Sequence, residues 1–153
     1  DIPVLVDPKR KNFMLYENID LFKPNFKELV EGLKMDIDKN DLEAIAGVME
    51  EFRKLKSHEI ILLTLSEMGV MVNNKGEYHH IAAEIRDIAD VSGAGDTVIS
   101  LAALCLAEKM EPVDIAALSN LAGGQVCEKA GVVSVNREQL LKEALEIQEE
   151  EAV

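Results

Sequence analysis

The chain has 153 residues, 48% of them apolar, and a formal net charge of −13, enough apolar content for one core and a length that suggests one domain. That charge argues against nucleic acid as a partner, because phosphate-backbone binding needs a basic face. No apolar run approaches the roughly 20 residues that span a bilayer and no signal-peptide pattern opens the chain, so no membrane association and a cytoplasmic location are expected.

In chain order, "IPVLVD" (2–7) predicts a strand ending in an acid and a proline, with almost nothing before it, as in a piece of something longer. "IDLFKPN" (19–25) predicts a second strand, stopped by Pro24, which cannot donate to a ladder. A short helix is expected over 26–33. A longer one is expected over 41–55, with Leu42, Ile45, Ala46, Met49 and Phe52 on one face. Asn40 is its expected N-cap, with Glu43 completing a capping box. "EIILLTL" (59–65) is the continuous apolar run of a strand covered on both faces.

"VMVNNKGEYHHIAA" predicts a hairpin turning at Asn73–Gly76. The segment 97–108 is apolar on nearly every face and is expected to be a central, buried helix. Pro112 should open a further helix to about Lys129, with Gly123 and Gly124 allowing close packing. An amphipathic helix over 137–150 should close the chain and fray at its acidic end. Strands alternating with helices predict a layered α/β/α fold around a mostly parallel sheet. Cys105 and Cys127 lack any ligand spacing and are expected as buried, reduced thiols.

The stretch "DVSGAGDTVIS" (90–100) carries the most chemistry. A helix N-terminus offers unpaired N–H groups and a positive dipole end, and Gly93 and Gly95 remove side chains that would keep an anion away. Asp96 would repel that anion unless it has other work. Accepting a hydroxyl proton while the neighbouring N–H groups stabilise a transferring phosphoryl is a consistent role. Read without a ligand, the segment is a tight glycine turn with Ser92 or Asp96 as helix cap. A Rossmann fingerprint is excluded by Val98 and a P-loop by the missing Gly-Lys-Ser/Thr.

"DVSGAGD" resembles the second signature of the ribokinase-like (PfkB) carbohydrate kinases, usually Asp-Thr-x-Gly-Ala-Gly-Asp; Val91 departs from it. "KPNFKE" is similar to the family's Asn-x-x-Glu motif. "TLSEMG" resembles its Thr-x-Gly-x-x-Gly turn, with Ser66 in place of the first glycine. "VLVDPK", "SEMG", "GAGDTVIS" and the Gly124–Gly131 spacing are most similar to the heptose-7-phosphate kinase branch, which is joined elsewhere to an ADP-heptose synthase.

The resemblance implies ATP and Mg²⁺ as cofactors and a sugar or sugar phosphate as acceptor. It implies Asp96 as catalytic base, with the N–H groups of Gly93, Ala94 and Gly95 on the transferring phosphoryl. Lys23 would bind phosphate, while Asn25 and Glu28 would organise Mg²⁺ through water. Ser66, Gly69 and Asn120 would flank the nucleotide, and Asp90 with nearby carbonyls would hold the monovalent cation that some members bind.

The likeness covers only the family's C-terminal half, so the resemblance implies that the half that holds the sugar is expected outside these 153 residues. The expected partners are that half or a second copy, docked on an apolar sheet edge. The alternative expectation is a catalytically incompetent module that binds nucleotide or self-associates. "DIDKND" fails as an EF-hand loop, with Asp41 where glycine and Gly47 where glutamate belong. His58, His79 and His80 are expected at the surface. "DPKR" with Lys11 forms a basic cluster after the first strand, expected to reach phosphates in the assembled active site.

Overall fold

Three strands that run parallel and one hairpin make the sheet in the computed structural model, which describes residues 2–151. The strands β1 (Leu5–Val6), β2 (Leu21–Phe22), β3 (Ile60–Thr64), β4 (Val70–Asn74) and β5 (Glu77–Ile81) lie in chain order. β1, β2 and β3 are parallel, and β4 and β5 antiparallel. The first two strands are shorter than predicted, yet their ladder bonds run on: the Lys23 N–H donates to the Val6 carbonyl at 2.8 Å and the Thr64 N–H to the Pro24 carbonyl at 3.1 Å. The hairpin turns at Lys75 and Gly76, both at positive φ, as a two-residue primed turn requires.

Side-chain alternation divides the core in two. Phe22, Ile61, Leu63 and Met71 face α1 (Phe26–Leu33) and α2 (Leu42–Lys56). Leu21, Ile60, Leu62, Val70 and Val72 face α3 (Ala94–Ala107) and α4 (Pro112–Cys127). A final helix, α5 (Arg137–Glu151), packs on α4. This is the predicted three-layer arrangement.

Four expectations need correction. The N-cap of α2 is Asp41, whose carboxylate accepts from the Ala44 N–H at 3.0 Å, so Asn40 and Glu43 form no capping box. α3 starts at Ala94, ahead of the expected Thr97, because Ala94, Gly95 and Asp96 already form its first turn behind the N-cap Gly93. Nor is α3 buried all round. Val98, Ala102 and Cys105 form its buried stripe, while Leu104 is 66% exposed.

His58 is the fourth: its ring is 1% exposed and stacks on Phe22 at 4.7 Å, with Phe52 at its edge. Its Nδ1 accepts the Ile19 N–H at 3.3 Å, and its Nε2 has no partner among the described residues. His79 and His80 lie on the exposed β5, as expected.

Gly123 lets α4 meet α3, since a Cβ there would lie 2.8 Å from Val98 Cγ2. A Cβ on Gly124 would lie 2.9 Å from Nε of Arg86, whose side chain is 7% exposed. Arg86 joins the segment after β5 to Glu143 of α5 at 2.6 Å and to Glu128 at 3.2 Å. Both cysteines are buried free thiols, with burial raising each pKa. Among the described residues no helix is long and apolar enough to cross a membrane.

Candidate functional site

Parallel register decides what gathers at the carboxyl ends of the strands. Leu5 lies opposite Leu21 and Val6 opposite Phe22, so the next step brings Asp7 beside Lys23. The period-2 alternation that sends Leu21 toward α3 and α4 sends Lys23 to the same side. Lys23 is 3% exposed, and its Nζ lies 3.2 Å from Asp7 Oδ1. A buried ammonium is costly unless paired, and Asp7 is the only acid in salt-bridge range of it among the described residues.

That ammonium sits at the mouth of α3. A Cβ built on Gly95 would lie 3.6 Å from Lys23 Nζ, in van der Waals contact, so the ammonium lies close against the bare backbone of the first turn of α3. Gly93 is the N-cap, at φ +81°, and no side chain caps the helix among the described residues. Neither Ser92 nor Asp96 fills the capping role. The first-turn N–H groups are therefore free of side-chain partners, which is the arrangement that attracts an anion. Asp96 occupies the third helical position and is exposed, with no protein hydrogen bond to its carboxylate among the described residues.

Asn25 and Glu28 stand at the end of β2, where Asn25 bridges to Thr64 of β3. They form a reciprocal capping box on α1. Asn25 Oδ1 accepts the Glu28 N–H and Glu28 Oε2 accepts the Asn25 N–H, both at 2.8 Å. Each keeps one polar group free of this box, the Asn25 amide and Glu28 Oε1. Both motif residues thus do structural work whatever else they bind.

Asp90 joins two loops. Its Oδ1 accepts from the Ser92 N–H at 2.9 Å and the Ser92 hydroxyl at 2.7 Å, and its Oδ2 accepts from the Gly131 N–H at 2.9 Å. These donors hold its pKa below the ordinary carboxylate value, the Ser92 hydroxyl contributing most. Gly93 then packs under Val132, which a Cβ would approach to 3.1 Å.

Gly69 and Asn120 converge elsewhere, on Ala82. A Cβ at Gly69 would overlap the Ile81 carbonyl and lie 2.7 Å from the Ala82 carbonyl carbon, while the Asn120 amide donates to the Ala82 carbonyl at 2.8 Å. Ser66 is exposed at the start of the same turn, at φ 56°. The structure therefore brings Asp7, Lys23 and the Gly93–Asp96 turn together, and ties Gly69 and Asn120 to the segment leading into that turn. In the basic cluster, Lys9 reaches Asp7 Oδ2 at 3.7 Å and Arg10 reaches Glu31 at 3.7 Å. Asp7 escaped sequence reasoning, although a strand-end acid in register with a strand-end lysine was the signal for it.

Three comparisons meet this geometry. Residues 1–139 match the family described as pfkB family carbohydrate kinase. The chain is 38% identical over 138 residues to the bifunctional protein HldE of Mesorhizobium japonicum, covering 90% of this chain and 27% of that one. It is 38% identical over 142 residues to the HldE protein of a Campylobacter jejuni strain, covering 92% and 30%. The chain thus spans under a third of these curated relatives. By fold it is similar to phosphofructokinase-2 from Escherichia coli in complex with potassium, with TM-score 0.82 at 19% identity over 92% of this chain and 46% of that one. The ribokinase of Arabidopsis thaliana complexed with ribose and ATP gives 0.77 at 21% identity, covering 92% and 46%.

Proposed function

The chain belongs to the pfkB family of carbohydrate kinases, and from that premise we propose that it is the nucleotide-binding half of an ATP-dependent sugar kinase. One observation carries the reading: the Lys23 ammonium stands beside Gly95 at an uncapped helix N-terminus that also bears Asp96.

The cation and the first-turn N–H groups come from two chain segments and lie close together there, with no side chain on Gly95 between them. That suits a phosphate oxyanion, held by charge-assisted hydrogen bonds and stabilised as its charge shifts during transfer. Asp96, exposed and unpaired, would take the proton of the acceptor hydroxyl. The free groups of Asn25 and Glu28 suit water-mediated contact with Mg²⁺, which would supply charge neutralisation on the nucleotide phosphates. Asp90 keeps the glycine turn in shape and is also where a monovalent cation would sit.

The HldE likeness favours a heptose 7-phosphate as acceptor, within a parent protein of ADP-heptose synthesis. The exposed Ile2, Val4 and Leu104, at the β1 edge and on the outer flank of α3, support docking of the remaining kinase half there rather than independent turnover by this chain. The test is heptose-7-phosphate-dependent ATP consumption by this chain together with the rest of its kinase. The reading expects turnover in the wild type and none in Asp96→Asn; equal turnover in both would overturn the role of Asp96.

A further inference from the structure

We propose that Asp7 is a positioning residue of this site, its carboxylate holding the Lys23 ammonium beside the N-terminus of α3 where the lysine meets a phosphate oxyanion. The proposal rests on the nucleotide half-site described above.

A lysine has four rotatable side-chain bonds, and left alone its ammonium would snorkel toward water. Lys23 does not, being 3% exposed. The register of β1 and β2 explains why: Asp7 is its lateral neighbour on the same face of the sheet, with Oδ1 at 3.2 Å. Asp7 itself is firmly placed by the short parallel ladder and by Pro8 behind it, which is buried. An ammonium has three donors, so one can stay on Asp7 while another turns to a ligand at Gly95.

The competing account makes Asp7 a bare counter-charge. The two accounts differ in sign. A counter-charge near an anion site weakens anion binding, so its removal should strengthen it. A tether organises the cation, so its removal should weaken binding even though a negative charge has gone.

The experiment titrates this chain with tripolyphosphate in the absence of divalent ions, for wild type, Asp7→Asn, Asp7→Glu, Lys23→Met and the double variant Asp7→Asn/Lys23→Met. Lys23→Met should lose about tenfold in affinity, the scale of a charge-assisted hydrogen bond. Asp7→Asn should lose several-fold, and the double variant should bind no worse than Lys23→Met, since Asp7 acts through the lysine. Asp7→Glu, which keeps the charge but moves it, should also bind more weakly. Acylation of Lys23 by a lysine-directed reagent should be faster in Asp7→Asn than in wild type.

Asp7→Asn binding as well as or better than wild type, with Lys23→Met impaired, overturns the positioning role alone. Lys23→Met binding like wild type, or a wild type that takes up no tripolyphosphate, overturns the half-site itself and this inference with it.

Discussion

Asn25 and Glu28 each accept the other's backbone N–H at 2.8 Å, so the pair that the family resemblance assigns to metal also starts α1. Asn25→Ala would therefore remove a cap and a candidate ligand together. The cap should cost about 1 kcal/mol. Asn25→Asp keeps the accepting oxygen and loses only the amide. It should unfold at a denaturant midpoint close to wild type while its MgATP affinity changes. If Asn25→Asp is as unstable as Asn25→Ala, the side-chain oxygen of Asn25 is not what caps α1.

His58 makes stability depend on pH in a window of its own. Burial, with a smaller contribution from Lys56, lowers its pKa to about 4 from an ordinary 6.5. Between those values the unfolded chain binds a proton that the folded chain refuses, so stability falls as the medium is acidified from 6.5 toward 4. The shift corresponds to roughly 3 kcal/mol across the window. The carboxylates lowered by hydrogen bonding, such as Glu50 beside Arg53, lose their contribution only below about 4.5, the ordinary value of a glutamate. Urea midpoints measured between 4.5 and 6.5 should slope in wild type and flatten in His58→Gln; an equal slope in both would remove His58 from the account.

Two glycines inside helices should respond in opposite directions. At Gly47 on α2 an added methyl would have nothing within 4 Å of it, so Gly47→Ala should stabilise by about 0.5–1 kcal/mol through helix propensity alone. Gly123 would place its Cβ 2.8 Å from Val98 Cγ2, so Gly123→Ala should cost about 1–3 kcal/mol as α3 and α4 are wedged apart. Thermal unfolding of both variants checks the pair, and a stabilised Gly123→Ala would contradict the close α3–α4 contact.

Arg86 ties α5 to the fold through Glu143 at 2.6 Å and Glu128 at 3.2 Å. Arg86→Met leaves both acids without their cation and should cost about 1–3 kcal/mol. The loss should concentrate in α5, whose amide hydrogens should exchange faster while β3 stays protected. Unchanged exchange in α5 would show that the ion pairs do not hold it.

Most of the layering was legible because strand and helix periods differ: the apolar run before Thr64 and the Leu42–Phe52 stripe each mark one element. What escaped depends on pairing at a distance. His58 follows a helix end in a polar stretch, and only the folded sheet brings Phe22 under its ring. Asp41 and Asn40 are both good caps, and one residue of phase separates them. The exposure of Leu104 was hidden because an apolar helix reads as buried whether its cover lies in this chain or outside it. In the candidate site, the opening of a helix at Gly93–Asp96 was legible from its own string, whereas the pairing of Asp7 with Lys23 needed the β1–β2 register.

The central claim is that these residues form a nucleotide half-site before any other part of the kinase is present, with Asp96 reserved for chemistry. Calorimetric titration of the chain with MgATP, in wild type, Asp96→Asn and Lys23→Met, tests it most directly. The account predicts saturable binding that survives Asp96→Asn and weakens in Lys23→Met. No saturable binding in the wild type, or binding indifferent to Lys23, would contradict it.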